Sequence, residues 1–349
     1  MIGHPRGDRP RIVVIEGDGI GQEVIPAALG VIGQLGLGLD LDPVAVNAER
    51  FLATGDALPD ETFRQLETAD AILLGGIGDP RVTDPAYTAQ TLQRIRQELD
   101  LYANIRPARL LDSRLSPLRS PERRQVSLTV VRENTEGLYT SLGGRLRPGT
   151  AGEIALQEHI STYQGVQRVI GHAFAIAGSG VVMADKWNAM PHAGALWQRC
   201  WCEARAAHPG LPARHLAIDA CAMLMIRDPA QFDVIVTENC FGDILSDIAS
   251  ALIGGVGLAP SANLNPETGR AMFEPVHGSA PDIAGTQTAN PVAAILSCAL
   301  MLAHLGFTAE AAAVESAAAA ALQAGECTPD AGGGLSTGAA AAAVARRLG

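Results

Sequence analysis

Short apolar segments rich in β-branched residues recur along the chain and alternate with segments of helical pattern. They cover residues 11–16, 69–75, 126–131, 180–184 and 233–237. Because strands that alternate with helices form a mostly parallel sheet between helical layers, this order predicts an α/β fold. The alanine runs at residues 311–321 and 339–343 predict helices near the C-terminus, since alanine has the highest helix propensity.

Length and charge narrow the class of protein. With 349 residues, the chain is long enough for two domains that share one cleft. Its formal net charge of −11, without a uniform basic stripe, argues against nucleic acid as the main partner. The sequence has no window of about 18 uncharged apolar residues and opens with no signal peptide, so we expect no membrane span and a cytoplasmic protein.

The six cysteines are expected to be reduced thiols in that compartment. Cys200 and Cys202 lie in a Trp-containing helical stretch, without further Cys or His at ligand spacing. A packing role is therefore favoured over a zinc site.

Lys186 is the only lysine among the 26 lysine and arginine residues. It directly follows an apolar segment that predicts a strand, and catalytic groups often stand at such strand ends. An arginine stays protonated, whereas a lysine can lose its proton when buried or placed beside other cations. Lys186 is therefore a candidate base. The alternative is that the composition simply favours arginine over lysine and that the one remaining lysine has no special role.

Two aspartates in the sequence NCFGDILSD point to a metal. Asp243 and Asp247 are four residues apart in a helix-forming stretch, so their carboxylates face the same side one turn apart. Oxygen ligands of this kind favour Mg²⁺ or Mn²⁺. Asp219 follows another apolar segment and is a candidate third ligand. A solvated acidic helix face is the alternative.

Three arginines suit a substrate with two carboxylates. Arg96, Arg106 and Arg132 lie in apolar or strand-adjacent surroundings, and guanidinium groups bind carboxylates bidentately. Each alone would be interpreted as a surface arginine. Tyr139, seven residues after Arg132, offers a phenol that could deliver a proton.

Two loops are candidates for cofactor binding. The sequence EGDGIG forms a strand–Gly loop–helix turn, but it lacks the GxGxxG spacing and does not support a Rossmann site. Residues 274–291 are rich in Gly, Pro and small residues and predict a shaped binding loop. Asp282 within it could accept the ribose 2′-hydroxyl and select NAD over NADP. Residues 137–157, with Gly143-Gly144 and Pro148-Gly149 flanked by polar, extended segments, predict a projecting hairpin.

These motifs together resemble the isocitrate/isopropylmalate dehydrogenase family, the metal-dependent β-decarboxylating dehydrogenases. The family includes 3-isopropylmalate, isocitrate, homoisocitrate and tartrate/D-malate dehydrogenases. The resemblance covers nearly the whole chain, through the motifs GDGIG, ANIRP, VRENTEGLY, DKWN, FGDILSD, EPVHGSAPDIAG and NPVAAILS. The combination of FGDILSD with EPVHGSAPDIAG is highly specific. One departure is Glu16, where the family usually has Pro before GDGIG, and this changes the charge near the cofactor.

The resemblance implies an isopropylmalate-dehydrogenase-like two-domain α/β fold, which differs from the Rossmann fold. Residues 1–101 plus 256–349 would form the large cofactor-binding domain. Residues 102–255 would form the central domain for dimerisation, metal and substrate, with the projecting dimer arm at about 137–157. The implied assembly is a homodimer with shared active sites.

Matched motif by motif, the resemblance also implies a role for each site residue. Substrate would be bound by Leu92, Arg96, Arg106, Arg132 and Asn188, metal by Asp219, Asp243 and Asp247, and NAD by Ile20, His277, Gly278, Asp282, Ile283 and Asn290. Tyr139 and Lys186 would be the acid–base pair, with Lys186 and Asp219 supplied by the partner subunit. The implied reaction oxidises the C2 hydroxyl of a small 2-hydroxy diacid, releases CO₂ and leaves Tyr139 to protonate C3.

The substrate is predicted from the residues before Arg96 and from three loops. Isocitrate enzymes carry Ser and Asn where this chain has Gln90 and Leu92, which argues against isocitrate, while Gln93 and Arg94 argue against a wholly apolar pocket. The sequences YTSLGGRL, GLAPSANLNPE and TPDAGGGLST look most like the tartrate/D-malate branch. D-malate or tartrate is therefore predicted, with 3-isopropylmalate or another 3-alkylmalate, then homoisocitrate, as alternatives. An inactive regulatory subunit is disfavoured because the full catalytic set is present.

Overall fold

A computed structural model describes residues 9–120 and 125–348 of the chain, which are organised around one ten-stranded sheet. The strands are β1 (Arg11–Gly17), β2 (Asp40–Pro43), β3 (Ala71–Gly76), β4 (Ala103–Arg109), β5 (Ser127–Glu133), β6 (Gly143–Leu146), β7 (Ile154–Gln157), β8 (Val181–Asp185), β9 (Ala213–Ala217), β10 (Val234–Thr237), β11 (Pro260–Leu264) and β12 (Ala271–Pro275). The α-helices are α1 (Gly21–Gly33), α2 (Ala48–Thr54), α3 (Asp60–Glu67), α4 (Ala86–Thr88), α5 (Arg94–Glu98), α6 (Tyr163–Ile176), α7 (Pro191–Ala207), α8 (Ile218–Arg227), α9 (Asn239–Leu252), α10 (Val292–His304), α11 (Thr308–Gln323) and α12 (Thr337–Ala345).

The sheet has the order β2-β1-β3-β12-β11-β4-β5-β10-β8-β9. Strand β11 is antiparallel to both β12 and β4, and β4 is antiparallel to β5, whereas the other neighbouring strands are parallel. This arrangement confirms the predicted α/β class and a mostly parallel sheet. The antiparallel strands at its centre distinguish it from a Rossmann sheet.

The five predicted strands are confirmed as β1, β3, β5, β8 and β10. Apolar β-branched runs did not reveal the other strands of the sheet, which are β2, β4, β9, β11 and β12. Strand β2 is short and largely exposed, and β4 has the polar sequence ANIRPAR. The alanine runs form most of α11 and part of α12, as predicted. The hairpin is also present, since β6 pairs with β7 in an antiparallel ribbon whose eight strand residues are all exposed.

Helices cover both faces of the sheet. On one face α1, α9, α10, α11 and α12 bury a continuous apolar cluster, and on the other face α6 and α7 cover the half of the sheet that contains β5, β10 and β8. Helices α3 and α5 cover the same side of β1 and β3. Within the described ranges, no helix is long and apolar enough to cross a membrane.

The two halves of the sheet are built from the residue ranges of the two predicted domains. Strands β1, β2, β3, β11 and β12 come from residues 1–101 and 256–349, and they occupy one half of the sheet. The remaining strands of the sheet come from residues 102–255. The domain division itself stays a prediction, and residues 1–8, 121–124 and 349 of these ranges lie outside the described residues.

The packing role predicted for Cys200 and Cys202 holds for only one of them. Cys200 is buried on α7, as expected, but Cys202 on the same helix is exposed. The packing prediction is therefore wrong for Cys202, because two residues along a helix turn the side chain to the opposite side.

Candidate active site

A cleft of about 240 Å³ opens at the carboxyl ends of β3 and β12, beside β5. Several of the predicted site residues line it together, namely Leu92, Arg96, Arg106, Arg132, Tyr139, Asp243, His277 and Gly278. These residues come from both ends and the middle of the chain. The fold thus brings the predicted substrate, acid and cofactor residues to one place.

A larger cavity, of about 460 Å³, lies at the opposite ends of β3 and β12, beside Asp70 and Arg270. Its lining includes none of the predicted site residues. We place the candidate active site in the smaller cleft, because ionisable groups of both charges converge there.

Arg106 and Arg132 converge on Asp243. Arg106 donates to the Asp243 carboxylate at 3.0 Å and to the Ser246 hydroxyl at 2.7 Å. Arg132 donates to the same carboxylate oxygen at 2.5 Å, while its Nε and Nη2 donate to Asn239 Oδ1 at 2.9 and 2.7 Å. Burial lowers the pKa of each guanidinium below its usual range. The carboxylate of Asp243 offsets that effect, so the arginines remain charged for binding an anion.

Arg96 forms a buried ion pair with Glu274 at 2.7 Å. Burial opposes ionisation of Glu274, but the charge of Arg96 outweighs it and holds the pKa of the carboxyl below its usual range. The Nε atoms of Arg96 and Arg106 are buried and lack a partner among the described residues. Since buried donors are normally paired, these two nitrogens are unsatisfied polar groups beside the cleft.

Tyr139 lies on a single 3₁₀ turn, Leu138–Thr140, that follows β5. Its hydroxyl donates to Asp243 Oδ2 at 3.0 Å. Burial and the charge of Asp243 raise the pKa of Tyr139 to about 12. The phenol is therefore held in its protonated form, as a proton donor requires.

The predicted aspartate pair lies on α9. The side chain of Glu238 caps this helix by accepting from the backbone N–H groups of Cys240 and Phe241. Burial raises the pKa of Asp247, and the nearby charge of Asp243 adds to the effect. For Asp243, burial is the largest effect, but Arg132 and Arg106 outweigh it and lower the pKa.

These two carboxylates fit a divalent cation in part. They are hard oxygen donors one helical turn apart, and their mutual repulsion would be relieved by a bound cation. Within residues 9–120 and 125–348, however, no three Asp, Glu, His or Cys side chains are grouped so that they could hold a metal ion. A complete metal site would therefore need further ligands besides Asp243 and Asp247.

Lys186, Asp219 and Asn188 are not among the cleft-lining residues of the described chain. Lys186 follows β8 and its ammonium donates to Asp219 Oδ1 at 2.8 Å. Asp219 lies in the first turn of α8, which follows the neighbouring strand β9. The two residues thus share the carboxyl edge of the sheet with the cleft, but on strands beyond β10.

The glycine loop after β1 packs tightly against the other cofactor-loop candidate. The backbone N–H of Ile20 donates to the Ser279 carbonyl at 2.8 Å. A Cβ atom at Gly19, whose φ is +55°, would lie 2.0 Å from that carbonyl oxygen. Only glycine fits this approach. Glu16 is exposed at the end of β1, so its charge faces solvent beside the loop.

The segment after β12 holds the remaining predicted NAD residues. His277 Nδ1 lies 2.9 Å from the Gly278 carbonyl, while its Nε2 is buried and unpaired within the described residues. Burial lowers the pKa of His277, so the ring is neutral. Its unpaired Nε2 fits a polar group of a bound cofactor.

The other predicted NAD residues lie in different surroundings. Asp282 is exposed and Ile283 is half-buried. The buried amide of Asn290 donates to Asp330 and accepts from the backbone N–H of Val292, both at 3.0 Å. Through these bonds Asn290 holds the loop to the first residue of α10 and to the 3₁₀ turn Pro329–Ala331.

The segment before Arg96 contains a π-turn, Ala89–Gln93, between α4 and α5. Leu92 and Gln93 line the cleft. Gln90 instead accepts from the backbone N–H of Ala57 at 3.2 Å, and Arg94 pairs with Asp60 at 2.7 Å, outside the lining. Of the two polar residues that argued against an apolar pocket, only Gln93 contributes to this cleft.

Three buried residues of the site had no role in the sequence interpretation. Glu274 pairs with Arg96, and Asn239 orients Arg132. Asp18 accepts from the backbone N–H groups of Ala48 and Gly78, and from the Tyr87 hydroxyl at 2.5 Å. Each stands in a motif that was recognised. A polar residue shortly after an apolar strand is the signal that could have found Asp18 and Asn239, whereas Glu274 lies within β12.

Comparison with known proteins decides the family. A family model described as isocitrate/isopropylmalate dehydrogenase matches residues 11–344. The chain belongs to this family. It is an NAD-dependent, metal-requiring decarboxylating dehydrogenase of the isocitrate/isopropylmalate dehydrogenase family, as the motifs predicted.

Similar proteins cover nearly the whole chain. The 3-isopropylmalate dehydrogenase of Rhodococcus erythropolis is 46% identical over 315 residues, which are 89% of this chain and 93% of the relative. That of Thermobifida fusca is 44% identical over 322 residues, or 90% and 91%. The crystal structure of isocitrate dehydrogenase from Methylococcus capsulatus superimposes with a TM-score of 0.90 at 34% identity, covering 97% of this chain and 99% of the other.

These relatives correct the predicted substrate. D-malate or tartrate was favoured from three loop sequences, and this prediction is wrong. Several relatives that are 43–46% identical over most of the chain carry the name 3-isopropylmalate dehydrogenase. The three loop sequences did not report on substrate: YTSLGGRL contributes only Tyr139 to the lining of the cleft, and the other two contribute no residue to it.

Proposed function

We propose that this protein catalyses the NAD-dependent oxidative decarboxylation of 3-isopropylmalate or a closely related 3-alkylmalate. The observation that carries the proposal is the convergence of Arg106, Arg132 and Tyr139 on Asp243 inside one cleft. Buried guanidinium groups suit the two carboxylates of a malate moiety. The names of relatives that are 44–46% identical over about nine tenths of the chain support an alkyl group as the third substituent.

The metal of this reaction would be Mg²⁺ or Mn²⁺. Asp243 and Asp247 would hold it from α9, and Asp219 from a second copy of the chain would complete the ligand set. When bound, the ion would act as a Lewis acid toward the substrate's hydroxyl and carbonyl oxygens. NAD would supply the hydride acceptor.

The chain's own residues would then move the protons. Arg96, Arg106 and Arg132 would orient the substrate carboxylates. Lys186 from the second copy, in its neutral form, would remove the proton of the C2 hydroxyl. Tyr139, kept protonated by its raised pKa, would donate a proton to C3 after CO₂ has left.

The proposed NAD site lies between the Gly19 loop and the segment after β12. His277 and Gly278 line the cleft, and His277 offers an unpaired ring nitrogen. Ile20, Ile283 and Asn290 would contact or support the cofactor. The exposed carboxylate of Asp282 would accept from the ribose 2′-hydroxyl and repel a 2′-phosphate.

A homodimer with shared active sites is part of the proposal. Large apolar side chains are exposed on the hairpin and on neighbouring helices, namely Leu142, Leu146, Ile154, Leu156, Met223, Ile226 and Ile244. Exposed large apolar side chains are typical of an association surface where they group together. The hairpin would be the dimer arm, and residues 102–255 the dimerisation domain beside the cofactor domain of residues 1–101 plus 256–349. A cytoplasmic location also stays a prediction.

A substrate panel tests the proposal. With NAD and Mn²⁺, purified protein should give its highest kcat/KM with 3-isopropylmalate when compared with D-malate, tartrate, homoisocitrate and isocitrate. Because one methylene changes discrimination by about 1–3 kcal/mol, weaker activity on other 3-substituted malates is expected. A best rate with isocitrate would contradict the interpretation of Gln90 and Leu92. No turnover of any member would favour the inactive regulatory subunit.

A further inference from the structure

The π-turn before Arg96 forms one wall of the cleft. Thr88, Leu92 and Gln93 all line the cleft from this segment. Adjacent residues of a regular helix point about 100° apart, so Leu92 and Gln93 would not normally face one ligand equally. Both nevertheless line the cleft at this π-turn, and such turns occur frequently at functional sites. The wall therefore presents an apolar and a polar side chain next to each other.

The amide of Gln93 is held in place by Ser141. The Ser141 hydroxyl donates to Gln93 Oε1 at 2.9 Å. Ser141 directly follows the turn that carries Tyr139, and its φ of +59° is a left-handed conformation that non-glycine residues rarely adopt. This bond uses the oxygen of the amide, and within the described residues its Nε2 has no hydrogen-bond acceptor. Gln93 thus offers N–H donors to the cleft.

The other polar side chain of the segment is used elsewhere. Arg94 pairs with Asp60 at 2.7 Å and Glu98 at 2.9 Å, and donates to the Leu58 carbonyl at 2.8 Å. No positive charge of this segment other than Arg96 therefore lines the cleft. A substituent with a further carboxylate would meet only the neutral amide here.

We infer that Gln93 is a specificity-determining residue that favours 3-alkylmalates whose alkyl chain carries a neutral hydrogen-bond acceptor. This inference rests on the proposed function. With the malate carboxylates at the arginines, the C3 substituent faces the wall formed by Leu92 and Gln93. Its carbon stem packs on Leu92, and an ether or thioether acceptor further along the chain takes the N–H of Gln93. A purely alkyl chain of equal length leaves that donor unpaired.

The test uses two substrates of equal length, 3-butylmalate and 3-(2-methoxyethyl)malate. The wild-type protein should prefer the ether in kcat/KM by about 3- to 10-fold, the value of one neutral hydrogen bond. Gln93→Met keeps the length of the side chain but removes its donor, and should abolish or reverse this ratio. Ser141→Ala should reduce the ratio, because Ser141 positions the amide. Gln97→Met, on the exposed side of α5, is the matched control and should leave the ratio unchanged.

The outcomes separate the inference from the proposed function. If 3-isopropylmalate is oxidised but the wild type shows no preference for the ether, or Gln93→Met retains the preference, the inference is overturned and the proposed function stands. If the wild type oxidises 3-isopropylmalate but neither of the two linear substrates, the wall does not take such a substituent and the inference is also overturned. If no 3-substituted malate is oxidised, the proposed function itself fails.

Discussion

The hydroxyl of Tyr139 donates a hydrogen bond to Asp243 across 3.0 Å, which joins the proposed proton donor to a proposed metal ligand within one chain. Lys186, the proposed base, is paired with Asp219 at another part of the sheet edge. The acid and the base of the reaction are thus held by separate clusters of the same chain. We propose that a second copy of the chain brings them together.

Mixing two inactive variants tests this arrangement. Lys186→Ala and Tyr139→Phe homodimers should each be inactive, whereas a mixed dimer has one site with both groups intact. After random exchange of subunits, about a quarter of wild-type activity should return, because half of the dimers are mixed and half of their sites are complete. The measurement is turnover before and after exchange, with exchange verified by mass spectrometry. No recovery despite exchange would indicate a site built within one chain.

Lys186→Arg should abolish turnover while the fold remains intact. The positive charge is kept, but a group that can release its proton is lost, and one acid–base group contributes about 10²–10⁴-fold to the rate. We would measure kcat together with the thermal midpoint and the circular dichroism spectrum. Arg205→Lys, at an exposed site on α7, is the matched control and should be fully active. Near-normal activity of Lys186→Arg would refute the role of the only lysine.

Activity should require a divalent cation, and exhaustive treatment with EDTA should remove it. Asp243→Asn or Asp247→Asn should each weaken Mn²⁺ binding, because each removes a formal charge from an oxygen-ligand site. Titration of Mn²⁺ by calorimetry provides a readout that does not depend on turnover. Asp228→Asn, an exposed aspartate after α8, should bind Mn²⁺ as the wild type does. Full activity after chelation would contradict the metal site.

NAD should be strongly preferred over NADP. The exposed carboxylate of Asp282 would be close to the extra phosphate and would repel it. Asp282→Asn should therefore narrow the ratio of kcat/KM for the two cofactors by about tenfold, equivalent to 1.4 kcal/mol. Equal use of both cofactors by the wild type would show that Asp282 does not select the cofactor.

Glu274→Gln should destabilise the protein and change its response to pH. The substitution leaves the buried guanidinium of Arg96 without its charge partner, which costs about 3–5 kcal/mol. Because the pKa of Glu274 lies below its usual value, its stabilising effect is present at neutral pH and is lost as the pH falls below about 4.5 toward the folded-state pKa.

Urea unfolding at pH 7 and at acid pH measures both effects. The free energy of unfolding of the wild type should fall between the two pH values by more than that of Glu274→Gln. Glu98→Gln, which breaks a half-exposed pair with Arg94, should have little effect at either pH. Equal unfolding energies of the wild type and Glu274→Gln at pH 7 would show that the Arg96 pair is not stabilising.

The sequence predicted those parts of the site that follow apolar strands. Arg132 and Lys186 could be recognised because each stands in or directly after a β-branched segment, and Asp243 because it lies one helical turn from Asp247 in the helix that follows β10. The family resemblance then supplied the fold, whose central antiparallel strands no pattern of apolar residues had indicated.

Other features depended on contacts between distant residues. The ion pair of Arg96 joins residues 178 positions apart, and neither partner is unusual in its local sequence. The sequence likewise could not show that Gln93 lines the cleft while Arg94 does not, since the difference comes from Ser141 and Asp60 in other segments. Side-chain direction at a π-turn follows from tertiary packing.

The pairing of β3 with β12 has a consequence for synthesis of the protein. Strand β3, whose six residues are all buried, is complete at residue 76, whereas its neighbour β12 begins at residue 271. At roughly 5–20 residues per second, a ribosome needs about 10–40 s to make the intervening roughly 200 residues. During this interval the nascent chain carries an apolar strand with one uncovered edge, which is prone to pair with other chains. The order of the strands in the chain thus leaves this edge without its partner for most of the synthesis of the protein.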